Sequence, residues 1–91
     1  MIRLVKVVAL KPLGDFRLWL KFSDGLSGEC DFAPMILQGG AMVDQLKDPT
    51  FFGRVFISFG VPSWPNGFDV DAIQLHKDMV EAGLLTASEA A

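Results

Sequence analysis

Cysteine occurs once in the 91-residue chain, as Cys30. A single thiol excludes an intramolecular disulfide and a zinc site built on several cysteines. Such usage agrees with a reducing compartment. Histidine also occurs once, as His76, so a His-rich metal centre is excluded too. Basic residues are in deficit: eight Lys and Arg stand against eleven Asp and Glu, a formal charge of −3. A phosphate-tracking surface needs a basic excess, so direct nucleic-acid binding is not expected. No apolar run approaches the ~18–20 residues that span a bilayer. Lys6 interrupts the apolar segment from Ile2 to Leu10 and no small-residue cleavage site follows it, so neither a membrane span nor a signal peptide is expected. The expected location is the cytoplasm.

Motifs of enzymes are missing as well. Gly39-Gly40 follows a helix-like segment and lacks the strand–loop–helix context of a phosphate cradle. No serine lies in a nucleophile-elbow pattern. There is no internal repeat, low-complexity tract or linker.

What the chain has is apolar surface. Hydrophobic residues make up 51%, with eight Phe and two Trp, which is enough to offset chain entropy in a domain this small. The length allows one core and no second. A single α+β domain is expected over residues 1–85, with 86–91 as a frayed tail.

Ile2 to Leu10 reads as a strand whose charges, Arg3 and Lys6, have opposite parity. Either both faces are partly covered or a bulge resets the alternation. Pro12 to Asp15 is turn chemistry, centred on Gly14-Asp15. Phe16, Leu18, Leu20 and Phe22 then alternate with Arg17, Trp19 and Lys21. After Ser23-Asp24-Gly25 the alternation resumes through Leu26, Gly28, Cys30 and Phe32. Period two predicts two half-buried strands. A two-residue loop would pair Phe22 with Ser27 and mix the faces. A three-residue loop, with Gly25 at positive φ, sets Leu18 across from Cys30 and Arg17 across from Asp31. The three-residue loop is therefore predicted.

Asp31 and Pro34 open a short helix through Leu37, which Gly39-Gly40 ends. Val43 to Leu46 predicts another helical turn. Asp48-Pro49 opens a turn through Phe52-Gly53. Val55 to Phe59 reads as one strand with Val55, Ile57 and Phe59 on one side, and Gly60-Val61-Pro62 bends it. Ala72, Leu75, His76, Met79, Val80 and Gly83 recur at helical steps, and Asp71 with Gln74 suggests a capping box. The predicted fold is a small antiparallel hairpin-rich sheet of about four or five strands. Short helices connect its parts and a C-terminal helix packs on it.

Five residues stand out as candidates for binding or interaction. His76 sits in the apolar stripe of its helix; the preferred reading is a half-buried ring with one nitrogen satisfied, and a general base is the alternative. Trp19 lies on the polar parity of its strand, between Arg17 and Lys21. A helix covering that face would bury it, and this is preferred because so apolar a chain should use both sheet faces. An uncovered Trp19 would mark a contact surface. Trp64-Pro65-Asn66-Gly67-Phe68-Asp69 is a rigid turn. The plain reading has Trp64 and Phe68 pinning it to the core while Asp69 bonds backbone. The sharper one has it presenting Asn66 and Asp69 to a ligand or partner. Cys30, on the apolar parity, reads as a small hydrophobe.

Three stretches together resemble the bacterial domain of unknown function 2442. They are Phe22-Ser23-Asp24-Gly25 with Asp31, Leu46-Lys47-Asp48-Pro49 with Phe52 and Val55, and the Trp64 to Asp69 turn. The resemblance covers roughly Val5 to Leu75, and the Trp-Pro-Asn-Gly-x-Asp stretch is its most specific part. It implies a small α+β fold of meandering strands and short helices. It also implies a chain that occurs alone or joined to a helix-turn-helix domain, sometimes encoded beside small toxin-like proteins. No catalytic residues come with it. This chain departs in having Ala72 where a proline often follows the motif, and in its extended C-terminal helix.

The function expected on these grounds is a non-enzymatic interaction, accessory or regulatory module. Its partner is expected to be a second copy in a homodimer or a small bacterial protein, and no cofactor is expected. The alternatives are a small-molecule binder using the Trp64–Asp69 turn and an enzyme using His76 with Asp69 or Asp71.

Overall fold

A computed structural model describes residues 5–87 of the chain. The order is β1 (Val7–Gly14), β2 (Arg17–Phe22), β3 (Leu26–Asp31), α1 (Ala33–Gln38), a 3₁₀ turn (Asp44–Lys47), α2 (Pro49–Phe52), β4 (Phe56–Ser58), β5 (Val61–Ser63), α3 (Ala72–Glu81) and β6 (Thr86–Ala87). One antiparallel sheet has the order β1-β2-β3-β6, and β4-β5 form a separate two-stranded sheet. The class is α+β. Ile2 to Leu4 and Ser88 to Ala91 fall outside the described residues.

The β2–β3 register is the one the three-residue loop requires. Leu18 lies across from Cys30 and Arg17 across from Asp31. Gly25 takes φ 90° and its N–H donates to the Phe22 carbonyl at 3.0 Å. The Asp24 carboxylate accepts from Leu26 N–H at 3.0 Å, which fixes the turn through side-chain chemistry. Arg17 pairs diagonally with Glu29 rather than with Asp31. Asp31 instead accepts from Ala33 N–H at 2.9 Å and starts α1.

β1 carries two bulges. Its register against β2 shifts between Val7 and Ala9 and again between Pro12 and Gly14, leaving Val8 and Leu13 as extra residues. The first bulge resets the alternation: Val7 faces Phe22 on the inner side, and Leu10 then faces Leu20 there. β1 is an edge strand. Lys11, Pro12 and the bulges blunt that edge against further pairing. The β1–β2 turn is centred on Asp15-Phe16, both left-handed, one residue later than Gly14-Asp15. Phe16 tolerates that backbone because its ring stacks edge-on against Phe52 at 5.5 Å.

α3 packs on the inner face of the sheet. Ala72, Leu75 and Met79 are buried with Leu18, Leu20 and Phe22. Full burial of a Leu or Met side chain stabilises by about 1.5–3 kcal/mol. Val80, expected in the same stripe, is half exposed, because the stripe is narrower than the spacing suggested. Asp71 caps the helix by accepting from Ile73 N–H. The capping box does not form: the Gln74 amide donates to Asp78 instead. Gly83 at φ 72° ends the helix, with Leu84 N–H bonded to Met79 C=O and Gly83 N–H to Val80 C=O. The chain then crosses Gly28, where a Cβ would lie 2.0 Å from the Leu84 carbonyl oxygen, and pairs Thr86 with Ser27.

A second part of the core is aromatic. Phe52 stands 5.6 Å from Trp64 and 6.1 Å from Phe32, and Trp64 meets Phe68 at 5.7 Å. Asp48 caps α2 by accepting from Thr50 N–H, with Pro49 in the first turn.

Val55 to Phe59 is not one strand. Phe59-Gly60 form a two-residue left-handed turn between β4 and β5. Val55 is buried while Ile57 and Phe59 are exposed. Among the described residues no helix is long and apolar enough to cross a membrane.

Candidate functional site

The Trp64 turn is used for architecture. Trp64 is buried and its indole N–H donates to the Phe52 carbonyl at 2.9 Å. Its backbone N–H donates to Phe68 C=O, and Gly67 N–H donates back to Trp64 C=O. Asn66 spends its amide on neighbours. Nδ2 donates to Met42 C=O at 3.0 Å and to Gln45 Oε1 at 2.8 Å, while Oδ1 accepts from Phe68 N–H at 3.0 Å. The turn therefore clamps the 3₁₀ segment. Asp69 is exposed, and its backbone bridges Ser63.

His76 is half-buried. Its Nε2 meets Asp24 Oδ2 at 2.7 Å, and its ring stands edge-on to Phe22 at 4.9 Å. The carboxylate within reach is thus Asp24, from the β2–β3 turn, and not Asp69 or Asp71. Burial pushes the Asp24 carboxyl up. The Leu26 N–H, the His76 hydrogen bond and the His76 charge together outweigh it and hold the group below its ordinary value.

Trp19 is half-buried on the outer face, with Lys11 and Glu29 as its cross-strand neighbours. Contrary to expectation, among the described residues no helix covers that face. α3 sits on the inner face because Leu18, Leu20 and Phe22 present the larger continuous apolar surface.

The clearest recess lies elsewhere. Between the end of β3, the start of α1 and one side of α3 is a cleft of about 360 Å³. Phe32, Met35, Val70 and Leu75 form its apolar walls, and Cys30 lies among them. Asp31, Asp71 and Asp78 stand on its lining, and among the described residues no Lys or Arg does. Each carboxylate is held by one oxygen: Asp31 by Ala33 N–H, Asp71 by Ile73 N–H and Asp78 by the Gln74 amide. They are spread along the lining rather than gathered on one point. Among the described residues no three His, Cys, Asp or Glu side chains are grouped to hold a metal ion. Burial, then the charges of Asp31 and Asp78, push the Cys30 thiol up, so it stays neutral near pH 7. Such a cleft suits an apolar group that carries a positive charge beside it.

None of Trp19, Trp64, Asn66, Asp69 or His76 lines the cleft. Sequence reasoning took Asp31 and Asp71 as helix caps. Asp71 is the cap of α3, whereas the cap position of α1 is Phe32 and Asp31 stands one residue before it, accepting from Ala33 N–H. Sequence reasoning did not join the two with Asp78. Their numbers are far apart, and nothing local signals that they share a rim.

A second feature escaped the sequence reading. Phe59 is 98% exposed and holds φ 52°. A left-handed backbone costs a side-chain-bearing residue roughly 1–2 kcal/mol, and here no burial of the ring offsets it.

Fold and surface together define a small α+β domain with an acidic-rimmed apolar cleft and an exposed aromatic hairpin tip. The chain belongs to the family described as Protein of unknown function (DUF2442), whose model matches residues 7–78. That span holds every residue lining the cleft and the whole β4–β5 hairpin. No curated protein and no solved structure matches the chain.

Proposed function

We propose that this domain is a non-enzymatic interaction module with an accessory or regulatory role, its partner being a second copy or a small bacterial protein. It receives an apolar side chain flanked by a Lys or Arg in the cleft between β3, α1 and α3. The observation that carries this reading is the cleft lining: apolar walls with three carboxylates and, among the described residues, no cation. Burying one large apolar side chain contributes about 1.5–3 kcal/mol, and each exposed ion pair adds about 0–1 kcal/mol. A single insertion is then weak and reversible, which suits a regulatory contact and sets charge as the selector. The Trp64–Asp69 turn gains no support as a ligand site, since Trp64 is buried and Asn66 is fully engaged with its own chain.

The test is nuclear magnetic resonance titration with a capped tripeptide, phenylalanine between two lysines, against the same peptide with glutamates. The basic peptide should shift the amide resonances of Cys30, Met35 and Leu75, and the acidic one should leave them in place. Equal shifts from both, or none, would remove the reading.

A further inference from the structure

We infer that the natural occupant of the cleft is the β4–β5 hairpin tip of a second copy of this chain. This rests on the reading of the cleft as a docking site and names its partner. The tip is Phe59-Gly60, with left-handed φ at both residues. Asn or Gly suits a turn of this kind, and a bulky aromatic does not. The Phe59 ring is 98% exposed, with Phe56 and Ile57 partly exposed behind it. Phe59 therefore does little for its own fold, and its ring is free to insert elsewhere.

Lys6 supplies the matching charge. A Cβ placed on Gly60 would lie 2.8 Å from Lys6 Cβ and Cγ, so the lysine stem runs against the tip. Val7 N–H donates to Gly60 C=O at 2.8 Å and locks the strand start to the hairpin. An exposed aromatic ring and the stem of a lysine are thus presented together at one hairpin tip. The cleft offers the complement: apolar walls and the carboxylates of Asp31, Asp71 and Asp78, with no cation among the described residues that line it. A nearly fully exposed ring fills no cleft within its own chain. Each copy carries one tip and one cleft, so the inferred assembly is a two-fold dimer in which each tip enters the other copy's cleft.

The experiment is sedimentation equilibrium of the full chain over a wide concentration range at low and high salt. It is paired with alkylation of Cys30, which as the single cysteine reports cleft occupancy. The wild type should dimerise, more weakly at high salt, and Cys30 should become more protected as concentration rises. Phe59→Asn suits the left-handed turn, should keep the fold, and should weaken dimerisation by about ten-fold or more. Lys6→Glu and Asp78→Lys should each weaken it, and together should restore it in part. A wild type that stays monomeric overturns the inference. So does a Phe59→Asn variant that dimerises normally, or a Phe59-dependent dimer in which Cys30 is no better protected. The basic tripeptide separates the two readings. If it binds a chain that never dimerises, the cleft remains a docking site and only its partner was misassigned.

Discussion

Nε2 of His76 lies 2.7 Å from Oδ2 of Asp24, a contact that spans 52 positions and ties α3 to the β2–β3 turn. The same carboxylate accepts from Leu26 N–H through its other oxygen. Asp24 therefore organises the hairpin and receives the helix. Its pKa is lowered in the folded chain from an ordinary 3.8, because the bonds from Leu26 and His76 outweigh burial, which acts upward. A carboxyl lowered on folding adds stability that is complete above its unfolded value and is lost as pH falls through the folded one. Urea unfolding from about pH 6 down to about pH 2 should show this loss, and Asp24→Asn should flatten that part of the profile. An unchanged profile in the variant would show that other carboxylates set the acid limit.

His76→Leu keeps the packing on Phe22 but removes the donor to Asp24. It should cost about 1.5–3 kcal/mol, the range for a hydrogen bond to a charged group. His76→Gln should recover part of that. Chemical denaturation of the three proteins at neutral pH decides it. If Leu is as stable as wild type, the contact does not hold the helix.

Gly28→Ala should be among the more harmful small substitutions. The added Cβ would meet the Leu84 carbonyl oxygen at 2.0 Å, and that atom is backbone. The α3–β6 connection must move away, at about 1–3 kcal/mol or more. Hydrogen exchange should quicken at Thr86 and Ser27, where β6 pairs with β3. Unchanged melting with unchanged exchange would contradict the close approach.

Asn66→Ala removes two donors and one acceptor that link the Trp64 turn to the 3₁₀ segment. At about 0.5–1.5 kcal/mol for each neutral bond, the three together should cost about 1.5–4.5 kcal/mol, toward the lower end because the side chain is partly exposed. Trp64→Phe loses the bond to Phe52 C=O as well as ring volume, and should cost at least as much. Thermal unfolding of both variants provides the measurement. A neutral Asn66→Ala would return that side chain to the list of ligand-binding candidates.

Phe59→Asn should stabilise the isolated domain by up to about 1 kcal/mol, since it relieves a left-handed aromatic. Its melting temperature at dilute concentration should rise slightly. A clear fall would mean that the Phe59 ring packs against its own chain in solution.

Much of the framework could be read from the residues in order. The β2–β3 register followed from two facts. Period-two alternation assigns each side chain a face, and only a three-residue loop keeps Leu18 and Cys30 on the same one. The caps at Asp48 and Asp71 and the stop at Gly83 were legible because each acts within a turn of its own position. The Phe59-Gly60 turn was not legible. Phe is an unfavourable residue for left-handed backbone, so an apolar run reading as one strand concealed a hairpin. The Val8 bulge was open to inference as one of two options, and its position was not.

Sequence alone determined what neighbours along the chain decide: strand faces, loop length, helix caps, the family, and the shortage of cysteine, histidine and positive charge. Those properties depend on dihedral preferences and hydrogen bonds that reach a few residues. Tertiary structure alone decided which tryptophan is core, which carboxylate meets His76, and that Asp31, Asp71 and Asp78 share the lining of one cleft. Trp19 and Trp64 are the same residue type, yet one is half-buried and the other is core. Trp64 is enclosed by Phe32, Phe52 and Phe68, whereas Trp19 stays half-buried because α3 packs on the opposite face, set by the summed burial of Leu18, Leu20 and Phe22 with Ala72, Leu75 and Met79. That sum belongs to the whole chain, and no local stretch carries it.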